Sequence, residues 1–325
     1  MGINRLFGIN LANEGDFEGA EIALKKAIEE GDILAINDYG VVCEREGKYS
    51  MARSCYMLAG VLGHSTAITN LGNMYENGIS VRYNPKIALM LYKRSASLGC
   101  SRAHFKLGRM YIRGKGVEKD RDLAKDYLEK GYKIEQTLND EYECAIELGC
   151  DYDFGLFGED NRDKALEYYT FASERGCALG YYNAGFIYLN NNDPEKAVDC
   201  WHKAGKLGYG DGYSKLFEIY WLGEGTIKQD KELAKVCLQK GLKLGSWHAQ
   251  IRLADVCLDG DLGEVDVECA KKAIAHYLAY SGEYKDDYWS FYEDIKNSHR
   301  DELDWEAIER DPEKYLEDSS DDEDC

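Results

Sequence analysis

The feature that most constrains this chain is a helix start that recurs at nearly even intervals. Asp or Asn stands four residues before an alanine at Asp16/Ala20, Asn84/Ala88, Asp120/Ala124, Asn161/Ala165, Asp193/Ala197, Asp230/Ala234 and Asp266/Ala270. Lys48/Ala52 keeps the same register with a poorer cap. An Asp or Asn oxygen can accept from an orphan amide of the first helical turn, which makes these positions N-caps. Pro85 and Pro194 directly follow two of the caps, at the first helical position, where a missing N–H costs nothing. The eight starts are 32, 36, 36, 41, 32, 37 and 36 residues apart. A period of that size predicts a stack of short units that bury their cores against one another.

The rest of the period supports this. Gly31, Gly63, Gly99, Gly176, Gly208 and Gly245 each follow a cap by fifteen residues, where a left-handed residue ends a helix. A further helix then carries small residues and a Leu-Gly pair at fixed offsets. Its fullest form is Ala103, Leu107, Gly108, Met110, Tyr111, Gly114, Gly116 and Val117 before Asp120. Ala67, Leu71, Gly72, Met74, Tyr75, Gly78 and Val81 repeat it. Spacings of four, one and three keep these residues on one helical face. Only the fifth unit breaks register: about five extra residues enter around Glu135 to Tyr142, and a lengthened helix or bulged turn is expected there.

This pattern, A-x3-LGxMY-x2-G-x-GV-x2-D-x3-A-x2-Y, resembles the Sel-1-like repeat, a relative of the tetratricopeptide repeat. The match is close in the third and fourth units and good in the seventh, through Leu216, Tyr220, Gly223, Gly225, Asp230 and Ala234. The resemblance implies an all-α fold, a right-handed α/α superhelix of about eight helix pairs with a C-terminal helical cap. On this reading residues 1–282 form the solenoid, 283–316 cap it, and 317–325 are a disordered acidic tail. Terminal units need such caps because one of their faces lacks a neighbour. Tyr288, Trp289, Phe291, Tyr292 and Ile295 are the candidates to cover the last repeat, and Asp311-Pro312 opens another short helix.

Charge narrows the partners. The formal net charge of −20 argues against unaided binding to nucleic acid or to anionic membranes. It is concentrated: residues 283–325 hold eighteen Asp or Glu against five Lys or Arg, a local net of −13. The tail serines Ser319 and Ser320 precede acids at +3, a pattern that acidophilic kinases favour, although a solubilising tail is the simpler role. The opening residues lack the basic and apolar regions of a secretory signal, and no run approaches a membrane span. A cytoplasmic monomer is expected.

Eleven cysteines raise the question of disulfides or metal. Their register favours core packing: Cys43 and Cys257 fall where Tyr75 and Tyr111 stand, and Cys55, Cys200 and Cys237 are aligned with Tyr92 and Tyr127. No Cys-x2-Cys pair occurs and the six histidines are scattered singly, so neither a metal nor any other cofactor is expected. Gly114/Gly116 and Gly223/Gly225 lack the Lys-Ser or Lys-Thr of a phosphate loop and recur at one inter-helix turn, which makes them structural. No nucleophile–base pair is discernible, and no enzyme is expected.

What remains is surface. The resemblance implies that the first helix of each pair lines a concave groove. The groove-facing offsets in the fourth unit are Arg102, Phe105, Arg109, Ile112 and Arg113, with Asn73 and Asn77 in the third. The sixth and seventh units add Leu179, Tyr182, Phe186 and Leu189, then Trp221 and Leu222. Arg, Tyr and Trp dominate binding hot spots. Arg102, Phe105, Arg109, Arg113, Tyr182, Phe186 and Trp221 are therefore the candidate partner-binding residues, and the expected role is an adaptor or scaffold gripping a peptide or protein surface. An inhibitor or immunity protein that neutralises a basic or toxic partner is the alternative. A hydrolase, as suggested for cysteine-rich relatives, is remote, because the cysteine pattern of those relatives is missing.

Overall fold

The structure, a computed structural model, describes residues 2–138, 141–156, 158, 161–260, 266–280, 289–299 and 303–316. Eighteen α-helices occur among them, and the chain divides into two compact units, residues 1–175 and 176–325. In the first unit, five antiparallel pairs follow one another: α1 (Ile3–Glu14) with α2 (Phe17–Glu29), α3 (Leu34–Arg45) with α4 (Tyr49–Val61), α5 (Ser65–Asn77) with α6 (Pro85–Ser97), α7 (Ser101–Arg113) with α8 (Arg121–Glu135), and α9 (Glu143–Asp153) with α10 (Arg162–Glu174). The second unit continues the pattern with α11 (Ala178–Asn190) and α12 (Pro194–Lys206), α13 (Gly210–Leu222) and α14 (Lys231–Lys243), and α15 (Trp247–Leu258) and α16 (Val267–Tyr280). Two cap helices, α17 (Trp289–Ser298) and α18 (Trp305–Arg310), and a 3-10 turn at Pro312–Tyr315 complete it.

Each second helix begins at the residue the sequence period marks. Asp16, Asn84, Asp120, Asn161, Asp193 and Asp230 accept from the amide three residues on, and Asp266 does so from Cys269 at 2.9 Å. Lys48 makes no such bond. The six glycines fifteen residues beyond the caps all have φ between 72° and 91°, a region that other residues enter at a cost.

The Leu-Gly pair has a packing explanation. The alanines four residues after the caps, Ala20 to Ala270, are fully buried, and eight residues after each cap stands a large buried side chain such as Tyr92, Leu128 or Trp201. Tyr92 lies over Gly72 so closely that a Cβ there would be 2.5 Å from its ring. Trp201 covers Gly185 in the same way, and Leu128 covers Gly108. Where α13 carries Phe217 instead of glycine, the residue eight after the cap is Leu238, in the same buried cluster. The register also corrects one alignment. Cys55, Cys200 and Cys237 share their place with Tyr127, whereas Tyr92 stands one position further on, with Tyr56 and Trp201. The ten described cysteines are free thiols, all buried except half-buried Cys150.

The second glycine of each glycine pair is equally structural. Gly116 (φ 75°) lies against Pro85, at the start of the preceding second helix, where a Cβ would come within 2.7 Å. Gly225 meets Pro194 similarly at 3.1 Å.

The fifth pair shows how the irregular segment is closed. Helix α8 runs for 15 residues instead of 13, and Tyr142 before α9 provides no side-chain cap. Glu135, fully buried, reaches across instead and accepts from the amides of Cys144 (2.7 Å) and Ala145 (3.1 Å). A remote carboxylate thus caps α9 across the irregular turn.

At the C-terminal end of the second unit, Tyr292, Ile295, Trp305 and Ile308 pack on Ile251, Leu258, Ile274 and Tyr277 in one buried cluster. Tyr292 donates to Glu309 (2.8 Å), and the Trp305 indole donates to the His299 carbonyl (3.1 Å). Tyr288, the side chains of Trp289 and Phe291, and the tail 317–325 lie outside the described residues.

Candidate functional site

Within each unit several first helices touch the next, as α1 and α3, α5 and α7, α7 and α9, and α13 and α15 do, while successive second helices make at most marginal contact. The first-helix side is therefore the inside of the bend in each unit. It is polar and laced together. In the first unit Arg5 pairs with Asp38 (2.6 Å), Asn70 donates to Asn37 (3.1 Å), Lys115 pairs with Glu76 (3.2 Å) and Arg102 pairs with Glu143 (3.1 Å).

The fourth unit carries the densest positive charge on this side. Phe105 is half-buried on α7, with the Arg109 guanidinium 5.3 Å and the Lys106 ammonium 6.0 Å from its ring centroid. Arg102 and Arg113 are exposed at either end of the row, and Ile112 is half-buried. Arg109 Nε is buried without a hydrogen-bond acceptor. Burial pushes the Lys106 ammonium below its usual range, with Arg109, Arg102 and Lys115 acting in the same direction against Glu76. On α9, burial raises the Glu147 carboxyl, while Arg109 and Arg113 pull it back. Two cations, Lys106 and Arg109, thus lie over one aromatic ring, and Arg102 and Arg113 add charge along the same helix. Glu143, paired with Arg102, and Glu76, paired with Lys115, lie beside them.

Lys106 was not among the groove offsets read from sequence, though it lies one turn beyond Arg102 and so shares its face. Asn73 is already engaged, accepting from Tyr92 Oη at 2.7 Å, and Asn77 donates to the Asn73 carbonyl at 3.0 Å. Glu147 has no sequence signal in a chain so rich in carboxylates.

The aromatic residues of the second unit are packed on their neighbours. Tyr182 meets Phe186 edge-on at 5.0 Å and Tyr209 at 4.9 Å, and Phe186 meets Trp201 at 5.5 Å. Burial drives the Tyr182 hydroxyl far above the ordinary tyrosine range. Trp221 packs against Phe217 (5.2 Å) under the Lys231 ammonium (4.5 Å). All three candidate rings are half-buried, while Leu222 beside them is 74% exposed. Tyr182 and Phe186 are thus held by each other, by Trp201 of α12 and by Tyr209 just before α13.

Beyond the aromatics the second unit carries its own charge ladder. Glu218 on α13 accepts from Lys215 (2.7 Å) and from Arg252 Nε on α15 (2.9 Å), with His248 Nε2 also at 2.9 Å. Burial resists its ionisation, yet these bases hold its carboxyl well below the usual range. Arg252 continues the row to Asp255 at 3.5 Å.

The Sel1 repeat model matches residues 65–100, 101–133, 143–177, 178–209, 210–246 and 247–279, which is more than half of the chain. The chain belongs to the Sel1 repeat family. A Sel1 repeat protein from Oxalobacter formigenes has a similar crystal structure: 26% identity, a TM-score of 0.65, and coverage of 74% of this chain and 98% of that one. The putative sel1-like repeat-containing protein L21 of Acanthamoeba polyphaga mimivirus is 28% identical over 120 residues. That match covers 37% of this chain and only 20% of the mimivirus protein. The immunity protein PA5088 of Pseudomonas aeruginosa is similar at 18% identity, with a TM-score of 0.46 and coverage of 64% of this chain and 82% of that one. The Sel1 fold commonly mediates protein–protein interaction and is generally a non-enzymatic scaffold. Among the described residues no helix is long and apolar enough to cross a membrane.

Proposed function

We propose that this Sel1 repeat protein is a non-enzymatic adaptor that holds an extended, acidic segment of a protein partner on the first-helix side of residues 1–175. Arg102, Phe105, Arg109 and Arg113 would be the contact residues, joined by Lys106. The observation that carries this reading is Arg109, whose guanidinium lies over Phe105 while its buried Nε lacks an acceptor. The terminal N–H groups of the same guanidinium would donate charge-assisted bonds to an incoming carboxylate. The cluster also concentrates positive charge in a chain of net charge −20, so it selects a partner of opposite sign to itself. In the second unit Trp221, with exposed Leu222, is the candidate for a separate apolar contact. Tyr182 and Phe186 would act chiefly by holding α11 in place.

The test is selection from a displayed random peptide library with the full chain, followed by affinity measurement on the selected peptides. Enrichment of acidic sequences is expected, with affinity falling as salt rises. Arg109→Glu should weaken those peptides at least about tenfold, the scale of one lost hot spot, with melting unchanged to within a degree or two. Acidic peptides that bind Arg109→Glu and the parent equally would remove this site from the proposal.

A further inference from the structure

We propose that Asp255, Asp259 and His299 form a binding site for one divalent transition-metal ion of the zinc class, which ties the C-terminal cap to the last helix pair. Asp255 lies on α15 and Asp259 directly follows that helix, one turn on. His299 comes from forty residues later, just past α17. One donor atom from each of the three lies within 4.8 Å of the other two. His299 Nε2 is 3.5 Å from Asp259 Oδ1 and 3.8 Å from Asp255 Oδ1. Those separations are long for direct hydrogen bonds. They suit donors sharing one ion, since metal–ligand bonds of about 2.0–2.1 Å in a tetrahedron place ligands roughly 3.3 Å apart.

Three further features favour a cation. The donor set is mixed, an imidazole with two carboxylates, which suits borderline first-row ions more than calcium or magnesium. The two carboxylates stand i, i+4 at the negative end of α15, where like charges repel and the helix dipole disfavours anions. Arg252 occupies the other oxygen of Asp255, with Nη1 3.5 Å from Oδ2, so that Oδ1 is turned to the imidazole. The His299 side chain is 91% buried (9% exposed), whereas that of Asp259 is 53% exposed, leaving the site open on one side. A fourth position would take water. Sequence spacing does not reveal the set, because its histidine stands alone in the chain.

Full-length protein, stripped with EDTA and dialysed, would be titrated with Co²⁺ as a spectroscopic probe and with Zn²⁺ in thermal denaturation. One equivalent should bind at micromolar concentration, with a four- or five-coordinate visible spectrum and no thiolate charge-transfer band. Zn²⁺ should raise the melting temperature of the C-terminal unit, and EDTA should reverse it. Asp259→Asn and His299→Gln should each lower affinity about 10–100-fold, the usual cost of disturbing a metal site. Asp259 is exposed enough for its substitution to leave packing intact, so it keeps the test decisive if His299→Gln unfolds the cap. Binding that survives Asp259→Asn unchanged, or that shows thiolate bands, would place the metal on the acidic tail or the cysteines and overturn the proposal. So would the absence of binding below about 100 µM, weaker than the tightest range of structural zinc sites by many orders.

Discussion

Replacing Glu135 by Gln should stabilise this protein at alkaline pH and leave it nearly unchanged at pH 4. Burial raises the Glu135 carboxyl to about 7 from its ordinary 4.5, even though the amides of Cys144 and Ala145 donate to it and pull the other way. A raised folded pKa means that the folded chain holds a proton the unfolded chain has released. Stability from this group is therefore complete below about pH 4.5 and is lost as pH climbs to about 7. At about 1.36 kcal/mol per unit, the loss is on the order of 3 kcal/mol at pH 8. Glutamine keeps one acceptor oxygen, much as the protonated acid does, but cannot ionise. Urea denaturation of the parent and Glu135→Gln between pH 4 and 8.5 should thus give curves that nearly coincide at pH 4, separate from about pH 4.5 upward and keep a constant gap above about pH 7. With an m-value of about 2 kcal/mol/M, the variant's midpoint at pH 8 should lie more than about 1 M above the parent's. Hydrogen exchange at Cys144 and Ala145 should follow the same trend. Parallel pH curves, or a variant less stable at pH 8, would refute the account, because the carboxylate's charge-assisted bonds would then outweigh its burial.

Two other substitutions probe the core. Gly72→Ala would drive a methyl into the Tyr92 ring, which is fully buried and held by Asn73 and Glu76, so the ring cannot swing away. A loss of about 1–3 kcal/mol, the cost of overpacking, is expected from denaturant midpoints, and Tyr92→Leu should rescue it; a neutral Gly72→Ala would mean that the pair is looser than described. Burial lifts the Cys55, Cys200 and Cys237 thiols to about 11, so alkylation of the native protein at pH 8 should label them at least about tenfold more slowly than in denaturant, as thiolate fraction and access both fall. Rapid native labelling at these three positions by mass spectrometry would contradict their place in the core.

The repeating units are legible in the sequence alone. Caps, left-handed glycines and the alanine and Leu-Gly offsets are local or one-helix signals, set by backbone hydrogen bonding and the 3.6-residue period, and each is legible without a partner. It also marked the fifth unit as irregular and singled out the arginines of α7 and the aromatics of α11 and α13. The rest depends on residues that meet across helices. That Gly72 faces Tyr92, that Glu135 caps α9, and that Lys106 joins Arg109 over Phe105 follow from pair packing. No spacing encodes them, because many acids and lysines occupy equally plausible positions. Helix packing also fixes which groove residues are spent on their neighbours: Tyr182 and Phe186 stack on each other, on Tyr209 and on Trp201, and Arg102 pairs with Glu143, while Arg109 Nε keeps no acceptor. The metal-ligand set was invisible for the same reason, since Asp255, Asp259 and His299 are brought together only when the C-terminal cap folds back onto α15.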